Sequence, residues 1–87
     1  MNKENKMIEI ISKKFKASDT DQRFMDWCAE VERDEPKTWK GHTIEDIVVM
    51  EYNEFMKDLK SGEDARKNLI HLSTALLKMW RKLDAGD

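Results

Sequence analysis

The sequence predicts an all-α fold: a small four-helix bundle whose last two helices form an antiparallel hairpin. Three observations carry this prediction. Apolar side chains recur at spacings of three and four along most of the chain and nowhere alternate long enough to make a strand. The three glycines and the one proline punctuate those periodic stretches rather than interrupt them. The 87 residues make one helical domain over 1–87, with no room for a second core.

The first helix is predicted over residues 3–16, with Met7, Ile8, Ile11 and Phe15 on one face and lysines on the other. Ser18, Asp19 or Thr20 caps a second helix over 19–34, where acids in the first turn suit the helix dipole. Its apolar face is Phe24, Trp27, Cys28 and Val31, and it ends before Pro36, because the residue preceding a proline avoids helical angles. Thr43 caps a third helix over 44–60, with Asp46 three residues on in the position of a capping box. Gly62 suits a left-handed C-terminal cap. A fourth helix follows over 63–83, and the short connection folds these two back on each other. On it Ala65, Leu69, Leu72, Leu76, Trp80 and Leu83 share one narrow arc, expected to meet Ile44, Ile47, Val48, Tyr52, Phe55 and Leu59 of the third.

Composition narrows the function classes. Charged and hydrophobic residues each make up 39%, which suits helices carrying one apolar stripe each or a core completed by pairing with another chain. A net charge of −2 and an acidic pI give no strong field toward nucleic acid, so nucleic acid is not the expected partner. The single cysteine, Cys28, makes no internal disulfide and favours a reducing compartment. No stretch approaches the roughly 20 apolar residues that span a bilayer, so the expectation is a cytoplasmic protein with no membrane partner.

One feature of the third helix departs from a plain stripe. Glu51 projects within about 40° of Ile44 and Phe55, toward the core, and Glu54 and Asp58 continue its edge. Carboxylates three and four apart repel one another unless a cation relieves them. A hard cation such as magnesium is one relief, and pairing with Lys57, Arg66 or the lysines of the first helix is the other.

Residues 45–83 resemble the helical hairpin of the all-α nucleoside triphosphate pyrophosphohydrolases, the MazG-like superfamily. The resemblance rests on Met50-Glu51-Tyr52-Asn53-Glu54, which keeps two acids of a Glu-Glu-x-x-Glu motif, and on the loop Lys60-Ser61-Gly62-Glu63. The family's second acidic motif is replaced here by Lys67-Asn68-Leu69-Ile70-His71-Leu72-Ser73. The resemblance implies a magnesium site at Glu51, Glu54 and Asp58, nucleotide binding or nucleotide pyrophosphohydrolysis, and a dimeric or larger assembly. With half the motif gone, it implies a relative that has lost catalysis more readily than an active enzyme.

The remaining reactive side chains read as structural. His71 falls with Lys67, Thr74 and Lys78 on the polar face of the last helix and is expected in solvent. His42 precedes the third helix, and neither histidine has a second His or Cys at zinc spacing. Cys28 sits between Phe24 and Val31 as packing. Trp80 belongs to the leucine seam and is expected in the core. Trp39, in the Pro36–Gly41 loop, is either a lid on the bundle or an exposed anchor for a partner, and Trp27 lies at the margin of its stripe. Val49, Met56, Ile70 and Leu77 flank the expected seam as surplus apolar surface, to be covered by the first two helices or by a second copy.

Taken together, these features predict a non-catalytic interaction protein with no cofactor and no catalytic residue. It would bind a partner protein, or itself as a homodimer, with Trp39 and Trp27 as candidate contacts. Its size and style resemble small inhibitors and accessory factors, including those made by phages and mobile elements. The alternative is the magnesium-dependent nucleotide reading.

Overall fold

The computed structural model describes residues 19–86. Among them it forms three α-helices and one short 3-10 turn: α1 (Asp19–Arg33), the turn Lys37–Trp39, α2 (Ile44–Ser61) and α3 (Arg66–Gly86). None of the described residues lies in a strand, so the all-α expectation holds over this range. The helix predicted over 3–16 lies outside the described residues. No helix here is long and apolar enough to cross a membrane.

The helix ends follow local chemistry. The Thr43 hydroxyl accepts the Asp46 N–H at 3.2 Å and closes the first turn of α2. Gly62 ends that helix at φ 75°, in the left-handed region, and the Glu63 N–H returns to the Asp58 carbonyl at 3.0 Å. The last helix begins three residues later than predicted. Residues 63–65 are not helical, and the Asp64 carboxylate accepts the Arg66 N–H at 3.0 Å, holding one of the donors a helix start leaves unpaired. The Pro36 segment forms the 3-10 turn, which carries Trp39 inward.

Packing centres on α3, which touches both α1 and α2. The core is Val31 from α1, Trp39 from the turn, Ile47 from α2, and Ile70 and Ala75 from α3, with Cys28, Ile44 and Val48 packed against it. Cys28 is therefore packing, as its position between apolar neighbours predicts. Ile70, expected on a flank, lies inside this core.

The face that α3 turns inward differs from the expected one. Of the leucine seam only Leu72 is buried, at 8% exposed, while Leu76 is 49%, Trp80 64% and Leu83 57% exposed. The strip that faces the other helices instead holds Ile70, His71, Thr74, Ala75 and Lys78. Thr74 and Ala75 are fully buried. Small side chains let helix backbones approach closely. The Thr74 hydroxyl bonds back to the Ile70 carbonyl at 2.9 Å, so it enters the core without an unmet donor.

His71 and Trp80 are thereby reversed relative to expectation. His71 is largely buried, its side chain 16% exposed, because a partner for it is buried on α2, whereas Trp80 points outward. Ion pairs at the perimeter are consistent with this rotation. Lys78 bonds Glu35 at 2.7 Å, Arg81 pairs with Glu32, and Lys82 with Glu45, tying α3 to both of its neighbours.

Candidate functional site

Two features stand out from the packing of the described residues: a buried polar cluster, and an apolar face that these residues leave open.

The cluster is built on Glu51, which α2 directs inward as its helical position predicts; it is 5% exposed. Trp39, 3% exposed, donates its indole N–H to Glu51 Oε1 at 2.7 Å. His71 Nδ1 lies 3.6 Å from Glu51 Oε2, too long for a good hydrogen bond but within ion-pair reach of a protonated imidazole. The Trp39 and His71 rings meet edge to face, 6.3 Å apart at 77°. Lys78 Nζ stands 5.9 Å from the centre of the Trp39 ring while bonded to Glu35, adding a cation over the aromatic face. No buried side-chain polar atom among the described residues lacks a partner. The cluster is thus closed, holding the turn, α2 and α3 together. Trp39 caps the core as a lid would, and its buried ring presents almost no surface to a partner.

The three acids singled out in the sequence occupy different surroundings. Glu51 is engaged by Trp39 and His71, Glu54 is exposed, and Asp58, half-buried, accepts from the Asn68 side-chain amide. No three His, Cys, Asp or Glu side chains among the described residues form a group that could hold a metal ion. The Asn68 side-chain amide facing Asp58 is itself a partner for that carboxylate.

The open face belongs to α3. Its contacts to α1 run through Thr74 and Arg81, that to Glu35 just beyond α1 through Lys78, and those to α2 through Asn68, His71 and Lys82. Leu69, Leu76, Trp80 and Leu83 fall on the remaining side. With Leu72 they span about 80° of the helix at 100° per residue, and no charged side chain of α3 falls within that arc. At the amino end of this face, α1 and α3 leave a wedge of about 300 Å³ lined by Phe24, Trp27, Leu69 and Ile70, with Arg23 and Arg66 at its rim. Trp27, a sequence candidate for partner contact, therefore borders the open surface, 39% exposed. On α2 the side chains of Val49, Tyr52 and Leu59 are also exposed.

Charge around the exposed termini is locally balanced. Arg66 holds the Asp64 carboxylate down to about 2 through side-chain hydrogen bonds, and Asp64 in turn raises the Arg66 guanidinium. Lys82 lowers Glu45 in the same way.

No family model matches the chain, and neither does any curated protein or solved structure.

Proposed function

We propose that this chain is a non-catalytic helical interaction protein whose docking surface is the open face of α3. The observation that carries this is the exposure of Leu76, Trp80 and Leu83 on one uncharged stripe, beside the Trp27 wedge. Large apolar side chains gathered on one side of a small, highly charged domain cost solubility unless something covers them. Tryptophan is among the residue types enriched at the energetic centres of binding surfaces, which suits Trp80 to this face. The buried Glu51 cluster supports the same reading from the other side: its polar groups satisfy one another and hold the helices that present the face.

The magnesium-dependent nucleotide reading would need Glu51, Glu54 and Asp58 to converge, and two of them are engaged by neighbouring side chains. The arrangement supports the interaction reading better. Capture from native extract by the immobilised full chain and by Leu76→Glu and Trp80→Glu variants tests it. A protein retained by the wild type and lost from both variants supports the assignment, and equal retention by all three removes it.

A further inference from the structure

The stripe on α3 has a property that a surface built for an unrelated partner does not require: it is symmetric about its own centre. Its members are Leu69, Leu72, Leu76, Trp80 and Leu83, so the spacings read 3, 4, 4, 3 outward from Leu76. A two-fold axis through Leu76, perpendicular to the helix, brings Leu69 opposite Leu83 and Leu72 opposite Trp80, with Leu76 meeting its own copy. Each contact is apolar on apolar.

Leu72 is covered within its own chain, at 8% exposed, so Trp80, at 64%, supplies the open surface of that pair. Charge follows the same axis. Arg66 and Asp84 project at the same angle around the helix, on one flank of the stripe, and in an antiparallel pair like flanks face each other. Arg66 of one copy, which also bonds Asp64 of its own chain, therefore approaches Asp84 of the other at both ends.

We propose that the occupant of this face is a second copy of the chain, paired antiparallel through α3 about Leu76. The proposal rests on the interaction reading above and names its partner. The arrangement is isologous: one surface serves both protomers, as in most small homodimers. The stripe from Leu69 to Leu83 runs about 21 Å at 1.5 Å per residue. Stable interfaces bury about 800 Å² on each partner, so a single helix pair of this length sits at the lower end and gains from the flanking apolar surface. Val49, Tyr52 and Leu59 on α2 and the Phe24–Trp27 wedge on α1 are the exposed groups that can extend it.

The test uses the full chain with Cys28→Ser to remove the native thiol, and Leu76→Cys to place one thiol on the proposed axis. Sedimentation measures mass against concentration, mild oxidation reports crosslinking, and a thiol reagent reports accessibility in dilute protein. A dimer that crosslinks quickly through L76C, and falls to monomer with Trp80→Glu or Leu83→Glu at unchanged helix content, is the expected result. A dimer that neither crosslinks nor responds to those variants uses another face and overturns the proposal. A monomer at every concentration whose L76C thiol reacts freely also overturns it, and leaves the face open for a different protein. A monomer whose thiol is protected overturns both readings, because the chain itself then covers the stripe.

Discussion

The indole N–H of Trp39 donates to the Glu51 carboxylate at 2.7 Å, inside a core where both residues are almost fully buried. The pair lies twelve positions apart in the chain, so the bond closes the turn onto α2. A buried carboxylate is costly unless its oxygens are met. Here the Trp39 indole meets one oxygen and the His71 imidazole faces the other. The aromatic ring supplies apolar area and the donor at once, which explains how a tryptophan in a turn comes to be buried over the core.

Removing one side of this bond should cost more than removing both. Trp39→Phe strips the donor from a buried acid and should destabilise by about 1–3 kcal/mol, the range for a buried group left unmet. Glu51→Leu likewise leaves the indole N–H without an acceptor. The double variant removes donor and acceptor together, so its loss should fall well short of the sum of the single losses. Urea unfolding of the four proteins at one concentration measures the coupling. Simple additivity would show that the bond contributes nothing.

Ala75 offers a direct check on which face of α3 is inside. It is fully buried, while Leu76 beside it is half-exposed. Ala75→Leu should overpack the contact with neighbouring helices and cost about 1–3 kcal/mol. Ser73, on the margin between the buried strip and the stripe, should accept alanine with a change within about 0.5 kcal/mol. A harmless Ala75→Leu would mean that the leucine stripe, not the Ala75 side, forms the hairpin contact.

How much of this was legible in the sequence depends on the range of the interaction responsible. The Thr43 cap, the Gly62 stop and the break at Pro36 depend on neighbouring residues and were readable. Glu51 was also readable as inward, since its helical angle alone places it with Ile44 and Phe55. The orientation of α3 was not. Ranking faces by hydrophobicity favours Leu69, Leu76, Trp80 and Leu83 over His71, Thr74 and Lys78, but hydrophobicity does not register that Glu51 and Trp39 supply a buried setting for His71. Nor does it register that Thr74 and Ala75, being small, allow close approach. The polar strip turned inward because its partners were long-range, and the apolar stripe turned outward as a consequence. A one-helix periodicity cannot distinguish a seam within a chain from a seam between chains.

Gly62 makes a prediction free of packing. Its φ of 75° is a conformation that side-chain-bearing residues adopt at a cost, and nothing lies within 4 Å of where a Cβ would stand. Gly62→Ala should therefore lose about 1 kcal/mol from backbone strain alone. Asn, which tolerates the left-handed region, should recover part of that. Thermal unfolding of the wild type and the two variants decides the matter, and equal midpoints for Gly and Ala would mean that the turn relaxes away from this geometry.

Asp64 sets a test in pH. Hydrogen bonds from the Arg66 side chain and backbone lower its carboxyl from 3.8 to about 2 in the folded protein. A group whose folded value lies below its unfolded one contributes stability that is complete above the unfolded value. That contribution drains away as pH falls through the folded value. The window is therefore between about pH 4 and pH 2, and the contribution is constant at neutral pH. Both side chains are exposed, so solvent screens the pair and the effect is small and salt-sensitive. Asp64→Asn should flatten the acid limb of a stability–pH curve inside that window at low salt, and the difference from wild type should shrink as salt is added. Parallel curves through the window would mean that the Asp64–Arg66 contact does not hold the first turn of α3 in solution.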